Sequence, residues 1–544
     1  MRSKIVFNLF FSLAFVSASP LFAQTVTVNS GTTYQTISGF GAASVWDSSS
    51  TLSSLAVTLW HDDSASAPAN QVNGQVGLSI NRILIDESGN SNWGTEAAAA
   101  TLALAQNPNM RIFGTSWSPP AKWKNNNNTS GNNTGNDSGN PGSNSNQMNH
   151  SNWAAYATYQ TAWATAMKNT YHFTPYALSV QNEPDYDTSY QSCLWSASDF
   201  DSYIKSNLGP TLAAAGFNPI IMMPESFADN LNLSATTMGD SAAATFVRCI
   251  GMHLYGGGPS TIPASYSTTA GHTVESWETE ISDFSTPDSS MTSGLKYANQ
   301  IHNCIVDHNF NAYCYWWILN LNNDNEGLYG PSNSTTPTKR LFCEGNFSKF
   351  IRPGFVRIGC TEVPSAGVSV SAYYSSSTNK VVVVAINNNG SASNVNVNFG
   401  GLTVTTVYPW ITDSSRNLVQ QTSVAVSGGA FSYSLPSQSV VSFVASTTGG
   451  TPVPTATFTP TPTPVVQSTW RVNAGGPAYT DSMGNTWVAD VNYSGGSTVA
   501  SGGTITGTND STLYDTQRYG SSFSYSFSVP AGNYQVTLKF AETY

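Results

Sequence analysis

Short apolar or β-branched runs recur eight times between residues 36 and 318, and most are separated by stretches long enough for a helix. Intervening segments such as 152–169, 197–215 and 293–308 carry Ala, Leu, Tyr and Met at helical spacing. Eight strand–helix units in succession predict an α/β fold closed as a (β/α)8 TIM barrel. The eight runs are 36–42, 79–85, 111–117, 177–183, 219–225, 250–255, 274–280 and 312–318.

A doubly wound open sheet is the alternative fold for such alternation. Its phosphate-binding turn needs a third glycine and a helix directly after the first strand, and Gly39-Phe40-Gly41 provides neither. The barrel is therefore favoured. In a barrel of this type the carboxyl ends of the strands meet at one face, where active sites lie.

The N-terminus carries the three-part pattern of an export signal. Arg2 and Lys4 precede the apolar run 5–18 and a small-residue cleavage site at 21–23, so residues 1–23 are predicted to be a secretory signal peptide. A membrane anchor is disfavoured, because the run is shorter than the about 20 residues that a spanning helix needs. We therefore expect a secreted, extracellular protein.

The remaining segments predict further β domains. We expect residues 24–35 to form a strand that joins a side domain, 36–350 to form the catalytic barrel, and 351–446, with alternating strands and Gly, Asn and Ser turns, to form a β-sandwich side domain. A Thr/Pro-rich linker follows at 447–467. Residues 468–544 are a Gly- and aromatic-rich β region that stops directly after an apolar strand, which predicts a partial all-β domain.

Composition excludes several classes of function. Only 9% of the 544 residues are charged, with 20 Lys+Arg against 31 Asp+Glu, so no basic surface for nucleic acid is expected. The 12% aromatic content suits a neutral, hydroxyl-rich ligand. The six cysteines form no C-x-x-C motif, so no metal or other cofactor is implied, and disulfides and buried thiols both stay open. The oligomeric state is open too, with a monomer favoured.

Two of the eight runs end in glutamates that can face each other. One ends in Asn182-Glu183-Pro184, and another ends in Glu280, three strands further round an eight-membered ring. Both carboxylates are therefore expected in the same cleft. Cleavage of a glycosidic bond needs such a pair, one protonated to assist the leaving oxygen and one ionised to attack or to activate water.

Two other titratable residues lie near these glutamates in the sequence pattern: Glu278 is an alternative to Glu280, and His253 is an alternative acid or base. Glu278 is two residues from Glu280, so it is predicted to share its strand face, to point deeper into the barrel, and to need a partner such as Arg82 or a raised pKa. His253 is interpreted as a hydrogen-bonding core residue. The Ser and His residues do not form a nucleophile elbow, which disfavours serine hydrolysis.

At these motifs the sequence resembles glycoside hydrolase family 30, in particular its bacterial glucuronoxylanase branch of endo-β-1,4-xylanases. The resemblance runs from about residue 25 to residue 445. The motifs that carry it include Ser38-Gly39-Phe40-Gly41, Ser79-Ile80-Asn81-Arg82, Ser116-Trp117-Ser118-Pro119-Pro120, Asn182-Glu183-Pro184-Asp185-Tyr186, Met223-Pro224-Glu225-Ser226-Phe227, His253-Leu254-Tyr255-Gly256, Trp277-Glu278-Thr279-Glu280 and Tyr315-Trp316-Trp317.

Carried over by position, the resemblance implies roles for individual residues. Glu183 would be the acid/base and Glu280 the nucleophile of a configuration-retaining hydrolysis, and Asn182 would bond the sugar 2-hydroxyl. The other substrate-binding residues that we expect are Trp46, Trp117, Tyr186, Tyr255, Trp317 and Tyr329. The family also pairs its barrel with a β-sandwich, which fits residues 351–446.

Two positions depart from the family pattern. After the paired tryptophans, glucuronate-dependent relatives present arginine and tyrosine to the methylglucuronic acid branch of xylan, but residues 318–328 contain no Arg or Lys. Asp324 and Glu326 would instead repel a carboxylate. The side chains that could substitute for the missing clamp are Tyr329, Lys339 and Arg340. The resemblance also predicts methionine where Glu278 stands.

The sequence thus predicts a secreted, retaining endo-β-1,4-xylanase whose partner is a polysaccharide, plant cell wall xylan, with no strict need for glucuronic acid branches. Val472-Asn473-Ala474-Gly475-Gly476 and Arg518-Tyr519-Gly520 resemble motifs of the malectin-like carbohydrate-binding domains, of which residues 468–544 would be a truncated example. The alternatives are another family 30 activity, such as β-glucanase or glucosidase, and a non-catalytic cell-wall carbohydrate-binding protein.

Overall fold

The computed structural model describes residues 24–131, 135–136, 146–447, 471–482, 485–500, 505, 508 and 510–526. The predicted signal peptide, and the predicted linker beyond Thr447, lie outside these residues. None of the helices in the described part combines the length and the apolar character that a membrane span needs. The chain divides into two units, Met1–Val453 and Pro454–Tyr544.

The described strands follow one another in the order β1 (Gln24–Thr36), β2 (Gly39–Ala43), β3 (Ile80–Leu84), β4 (Arg111–Thr115), β5 (Gly135–Asn136), β6 (Ala177–Ser179), β7 (Tyr186–Asp187), β8 (Ile221–Ser226), β9 (Val247–His253), β10 (Glu275–Glu280), β11 (Ala312–Trp317), β12 (Val356–Cys360), β13 (Val368–Ser375), β14 (Lys380–Asn387), β15 (Ser393–Asn398), β16 (Thr406–Thr412), β17 (Val419–Gln420), β18 (Val424–Ala425), β19 (Ala430–Leu435), β20 (Ser439–Ser446), β21 (Tyr479–Thr480), β22 (Thr486–Trp487), β23 (Tyr493–Ala500) and β24 (Thr516–Tyr525).

The described α-helices are α1 (Ser49–Trp60), α2 (Asn90–Gln106), α3 (Trp153–Asn169), α4 (Ala197–Tyr203), α5 (Gly209–Ala214), α6 (Asn232–Gly239), α7 (Ser241–Ala244), α8 (Ser265–Ala270), α9 (Met291–His302), α10 (Lys339–Ser348) and α11 (Ser511–Tyr514). A π-helical turn at Ile204–Leu208 joins α4 to α5, and another at Asn303–Asp307 extends α9.

The eight predicted runs form a closed parallel barrel in the order β2, β3, β4, β6, β8, β9, β10 and β11, with β11 paired to β2. The predicted (β/α)8 fold is confirmed. At the amino ends of the strands the interior is apolar, with Trp277 and Phe113 at a ring-centroid distance of 5.7 Å. β2 approaches β3 closely because Gly41 has no side chain: a Cβ there would lie 2.1 Å from the Ile80 carbonyl oxygen.

A ten-stranded sheet forms the side domain, in the order β17, β16, β20, β14, β13, β12, β1, β15 and β19, with β18 paired to β16. The sheet folds over so that two parts of it face each other, and the rings of Phe431 on β19 and Phe443 on β20 lie 5.0 Å apart. The N-terminal strand β1 pairs with both β12 and β15 and so belongs to this sheet. The inner faces share one core of Val, Phe and Leu side chains.

All six cysteines lie within the described residues and all six are free thiols, five of them buried. This answers the question that the sequence leaves open, because no disulfide contributes to the fold. In the second unit β21 pairs with β22 and β23 pairs with β24, both antiparallel, and Arg518 forms an ion pair with Asp490 at 2.5 Å.

Candidate active site

Glu183 follows the short strand β6 at the carboxyl end of the barrel. Its backbone lies in the left-handed region, at φ 46°, and its amide donates to the Glu225 carbonyl oxygen at 2.9 Å. The carboxylate accepts from the Tyr190 hydroxyl at 3.1 Å and lies 3.2 Å from His253 Nδ1. A non-glycine residue at positive φ is uncommon, and such conformations cluster at functional sites.

Glu280 is the last residue of β10 and is 6% exposed. Its Oε2 accepts from Arg82 Nη1, and its Oε1 accepts from the Tyr255 hydroxyl at 3.0 Å. Burial raises the pKa of Glu280, and the charge of Glu183 adds to this effect, whereas His253 and Arg82 oppose it. The Glu280 carboxylate is therefore held in one orientation and is electrostatically linked to Glu183.

The structure brings these two glutamates together, as the sequence predicts. Glu183, His253 and Glu280 each place one nitrogen or carboxylate oxygen within 4.8 Å of the other two. That spacing could also hold a metal ion. The guanidinium of Arg82 already bonds Glu280, however, and supplies positive charge at this position.

Two buried cations lie among the carboxylates. Burial lowers the pKa of Arg82, but Glu225 and Glu280 more than offset this and raise it overall. Burial likewise lowers the pKa of His253, yet the charge of Glu280, the hydrogen bond with Glu183 and the nearby Glu225 carboxylate raise it to about 10. His253 is buried and hydrogen-bonded, as expected, and its raised pKa favours the charged imidazolium beside the carboxylates.

Asn182 is fixed by the same arginine. Arg82 Nη2 donates to Asn182 Oδ1 at 2.7 Å, and the Asn182 amide donates to the Ser116 carbonyl oxygen at 2.7 Å. The side-chain oxygen and the backbone N–H of Asn182 are both engaged. The side-chain nitrogen Nδ2 is therefore the atom left to donate to a ligand.

Tryptophans form one wall of the cleft. The ring centroid of Trp46 lies 5.7 Å from that of Trp117 and 6.1 Å from that of Trp317. Trp316 lies 5.7 Å from Trp117 and was not among the predicted site residues. Trp46 is 38% exposed and sits at φ 62°, so it presents the accessible ring of this wall.

A second row of aromatic rings begins at Tyr186, beside Glu183. Tyr186 stacks on Phe227 at 4.1 Å, Phe227 on Tyr255 at 5.3 Å, and Tyr255 on Phe284 at 5.9 Å. Tyr255 also touches Glu280, so this row reaches the carboxylate pair. Two aromatic walls with carboxylates between them suit a ligand with apolar ring faces and polar edges.

The residues considered as substitutes for a glucuronate clamp do not lie in the cleft. Tyr329 is 1% exposed within the main hydrophobic core, which leaves it little surface for a ligand. Lys339 Nζ bonds the Asp413 carbonyl oxygen and Asn417 Oδ1 in the side domain. Arg340 is 2% exposed and donates twice to the Gly327 carbonyl oxygen. The two basic side chains are used in holding the fold together.

Glu278 does not share the inner face with Glu280, so this prediction is wrong. Glu278 pairs in register with Tyr313 of β11, whose hydroxyl bonds helix α9 outside the barrel, whereas Trp277 fills the interior. The register of β10 with β9 shifts between Glu278 and Glu280. This bulge turns Glu280 inward and leaves Glu278 in the layer between strands and helices, where burial raises its pKa.

Sequence reasoning also missed Glu225 and Tyr190 as site residues. Glu225 ends a predicted strand run, as Glu183 and Glu280 do, so the same signal could have found it. Tyr190 lies in a loop, and no pattern in the sequence marks it.

A closed (β/α)8 barrel with two buried carboxylates between aromatic walls defines a glycoside hydrolase. Comparison with known families agrees. Residues 92–336 match the model of the glycosyl hydrolase family 30 TIM-barrel domain, and residues 468–544 match that of the malectin domain. The chain belongs to glycoside hydrolase family 30.

Similar proteins align with most of the chain. Glucuronoxylanase XynC of Bacillus subtilis (strain 168) is 34% identical over 433 residues, which span 78% of this chain and 92% of the relative. The family 30 subfamily 8 xylanase Xyn30A from Clostridium acetobutylicum is 33% identical, with a TM-score of 0.65 over 78% of this chain and 100% of that one. A family 30 endoxylanase from Clostridium papyrosolvens C71 is 32% identical, with a TM-score of 0.63 and the same coverage.

Proposed function

We propose that this protein is a retaining endo-β-1,4-xylanase that hydrolyses internal bonds of plant cell wall xylan. The observation that carries the proposal is the carboxylate pair, whose nearest oxygens lie within 4.8 Å of each other. Retaining glycosidases hold their carboxyl groups about 5–5.5 Å apart, whereas inverting enzymes need room for a water between them. The similarity to a glucuronoxylanase and to two xylanases supports the choice of substrate.

In the proposed mechanism, Glu280 attacks the anomeric carbon while Glu183 donates its proton to the leaving glycosidic oxygen. A covalent glycosyl–enzyme forms and the leaving chain departs with that proton. Glu183 then takes a proton from water, whose oxygen attacks the anomeric carbon and releases Glu280. Arg82 and the Tyr255 hydroxyl hold the two oxygens of Glu280 in position for the attack.

The aromatic walls are proposed to bind the xylan backbone. Xylose rings would lie against the tryptophan wall beginning at Trp46 and against the row that begins at Tyr186. The side-chain Nδ2 of Asn182 would donate to the sugar 2-hydroxyl. Aromatic rings on two sides of the carboxylate pair would hold an internal segment of a polymer, as an endo-acting enzyme requires.

We propose further that a glucuronic acid branch is not required. Asn322 donates to Glu326, and the Glu326 amide donates to Asp324 at 3.0 Å, so both acids belong to the loop after β11. Lys339 and Arg340 are held elsewhere, and no cation of the loop faces a uronate. Burial raises the pKa of Glu326 to about 7, so the loop becomes more repulsive to a carboxylate as the pH rises.

Export is part of the same proposal. Residues 1–23 would direct secretion, because the polymer is extracellular, and the malectin domain would bind carbohydrate and hold the enzyme near its substrate. The Thr/Pro-rich composition of residues 447–467 would suit a linker.

Replacement of the nucleophile tests the mechanism. Glu280→Gln keeps the shape and the contact with Tyr255 but removes the attacking anion, so kcat should fall by roughly 10⁴-fold. Glu183→Gln should cost about 10²–10⁴-fold. Circular dichroism checks the fold of both variants, and the anomeric configuration of the first product, read by proton NMR, should be β. A Glu280→Gln enzyme with the parental rate would refute the assignment.

Product analysis tests the substrate. Methylglucuronoxylan, linear xylo-oligosaccharides, β-1,3-glucan and β-1,6-glucan are incubated separately with the enzyme and the products are resolved by mass. We expect both xylan substrates to be cut at comparable rates and the glucans to be left intact. Cleavage only at a fixed distance from each uronate would show that the branch is required. Binding to xylan without release of reducing ends would identify a non-catalytic protein.

A further inference from the structure

The carboxylate pair lies in a buried cluster that contains one more anion than the reaction needs. Glu183, Glu225 and Glu280 are its three carboxyl groups, and Arg82 and His253 are its two cations. Glu225 and Arg82 are fully buried, as is His253. The roles proposed above use Glu183 and Glu280 and assign none to Glu225.

Glu225 is held firmly among these groups. Its Oε1 lies 3.1 Å from Arg82 Nη2 and 3.8 Å from His253 Nε2, and its Oε2 accepts from the Thr115 hydroxyl at 2.9 Å. The facing residue on β9 is Gly251, where a Cβ would lie 2.8 Å from Glu225 Cγ. The barrel wall therefore leaves space for this one side chain.

The titratable and charged groups facing Glu225 are Arg82 of β3, Glu183 after β6, Cys249 and His253 of β9, Glu280 of β10 and Cys314 of β11. Burial raises the pKa of both thiols, so they are neutral. Burial also raises the pKa of Glu225, but Arg82 and His253 lower it to about 2. Glu225 is therefore an anion throughout the working range of pH.

The charges of the cluster then fix how many protons it holds. With Glu225 ionised and both cations charged, the cluster is neutral when Glu183 and Glu280 share one proton between them. A buried net charge is costly, so this state is favoured. Without the Glu225 charge, neutrality would be reached with both carboxylates ionised, and no proton would remain for the leaving group.

We propose that Glu225 is a positioning residue that balances one of the two cations and thereby keeps one proton on the Glu183–Glu280 pair. This inference rests on the proposed acid and nucleophile roles of the pair, but not on the identity of the sugar. It predicts that removal of the Glu225 charge moves the pH range of activity, which a purely structural role would not do.

The test compares pH profiles of kcat/KM for the wild-type chain and four variants. Glu225→Gln removes the anion and keeps an acceptor for Thr115; Glu225→Asp keeps the charge. His253→Asn removes one cation, and the double variant Glu225→Gln/His253→Asn removes one charge of each sign. The substrate is any linear β-linked oligosaccharide that the wild type cleaves, so failure on xylan refutes the proposed substrate and leaves this test intact.

The pH profile of kcat/KM has an acidic limb, where activity rises with pH, and a basic limb, where it falls. Both limbs should move to lower pH by about one unit or more in Glu225→Gln. Glu225→Asp should keep the wild-type limbs even if its rate falls. His253→Asn should move the limbs to higher pH, and the double variant should return them toward the wild-type positions. A Glu225→Gln enzyme that is slower with unchanged limbs overturns the proposal. If that variant does not fold, His253→Asn decides the matter, because limbs that fail to rise overturn it as well.

Discussion

The strand that carries Glu280 also carries a carboxyl group that the proposed reaction does not use. Glu278 lies in the layer between barrel and helices, its Oε1 accepts from the Glu280 amide at 3.2 Å, and its Oε2 has no hydrogen-bond partner among the described residues. Burial, together with the charges of Asp229 and Glu280, raises the pKa of Glu278 well above its ordinary value of 4.5, although His253 opposes this. An ionised Glu278 is therefore unfavourable in the folded protein.

Glu278→Gln should stabilise the protein at neutral pH. Because the folded-state pKa of Glu278 lies above the unfolded value, its ionisation opposes folding; the cost is absent below about pH 4.5 and grows as the pH rises toward the folded pKa. Glutamine keeps an acceptor for the Glu280 amide and carries no charge. We expect the free energy of unfolding to increase by at least about 1 kcal/mol at pH 7, measured by urea denaturation.

The control for Glu278→Gln is the same measurement at pH 4, where both proteins are neutral at this position and the gain should vanish. Equal stabilisation at both pH values, or a loss at pH 7, would contradict the account. Glu278→Met, the residue that the family resemblance predicts, should gain less than glutamine because it leaves the Glu280 amide without its acceptor.

At the scale of elements, three barrel strands change register at their carboxyl ends. The shifts fall between Pro224 and Ser226, between Glu278 and Glu280, and between Tyr315 and Trp317. Each bulge redirects the side chains at the strand end. The periodicity of the sequence predicts the eight strands and which face of the barrel carries the site. It does not predict the bulges, and for that reason the strict alternation of side chains put Glu278 on the wrong face.

The aromatic residues of the site also fall into two groups, those that the strand pattern of the sequence predicts and those that it does not. Trp117 and Trp317 stand at or near strand ends and were predicted, whereas Tyr190 reaches Glu183 from a loop whose path depends on contacts distant in sequence. Tyr329 was expected in the cleft because it follows the paired tryptophans. Its segment turns inward instead, since the Tyr329 amide donates to the Ile318 carbonyl oxygen at 3.0 Å and the ring enters the core.

Helix α10 joins the barrel to the side domain. Asn346 Nδ2 donates to the Trp410 carbonyl oxygen at 3.1 Å and to Ser442 Oγ at 2.9 Å, and the Ser442 hydroxyl donates to the Asn346 carbonyl oxygen at 2.6 Å. Asn346→Ala removes both donors and leaves buried acceptors, so it should cost about 1–3 kcal/mol. Urea denaturation followed by tryptophan fluorescence measures the loss, and the barrel and side domain should still unfold in one transition.

Asn388→Ala is the matched control for Asn346→Ala. Asn388 exchanges two hydrogen bonds with Asn299 across the same two domains, but the pair is exposed to water. Water can replace those bonds, so the change should stay within about 0.5 kcal/mol. Equal losses for the two variants, or separate transitions for barrel and side domain, would show that α10 does not couple the domains.

At the scale of the whole molecule, several charged side chains of the first unit are buried in ion pairs. Besides Arg82, the buried cations include Lys349, paired with Asp63 at 2.7 Å, and Arg352, paired with Asp62 at 3.2 Å. These pairs tie the helix and turn that lead into the side domain to the loop after α1. With no disulfide, the fold depends on such contacts and on the two large apolar cores.

Every described contact of the carboxylate pair is made within residues 24–447, and the last side-domain strand, β20, ends at Ser446. A chain that ends at Thr447 therefore loses no strand of the first unit. It should retain the wild-type kcat/KM on linear xylo-oligosaccharides, because small soluble substrates need only the cleft. On insoluble xylan it should release sugar more slowly and sediment less with the polymer, since it lacks the malectin domain that is proposed to bind carbohydrate. A large loss of kcat/KM on the small substrates would mean that the second unit contributes to the active site, and equal rates on insoluble xylan would mean that it does not bind this polymer.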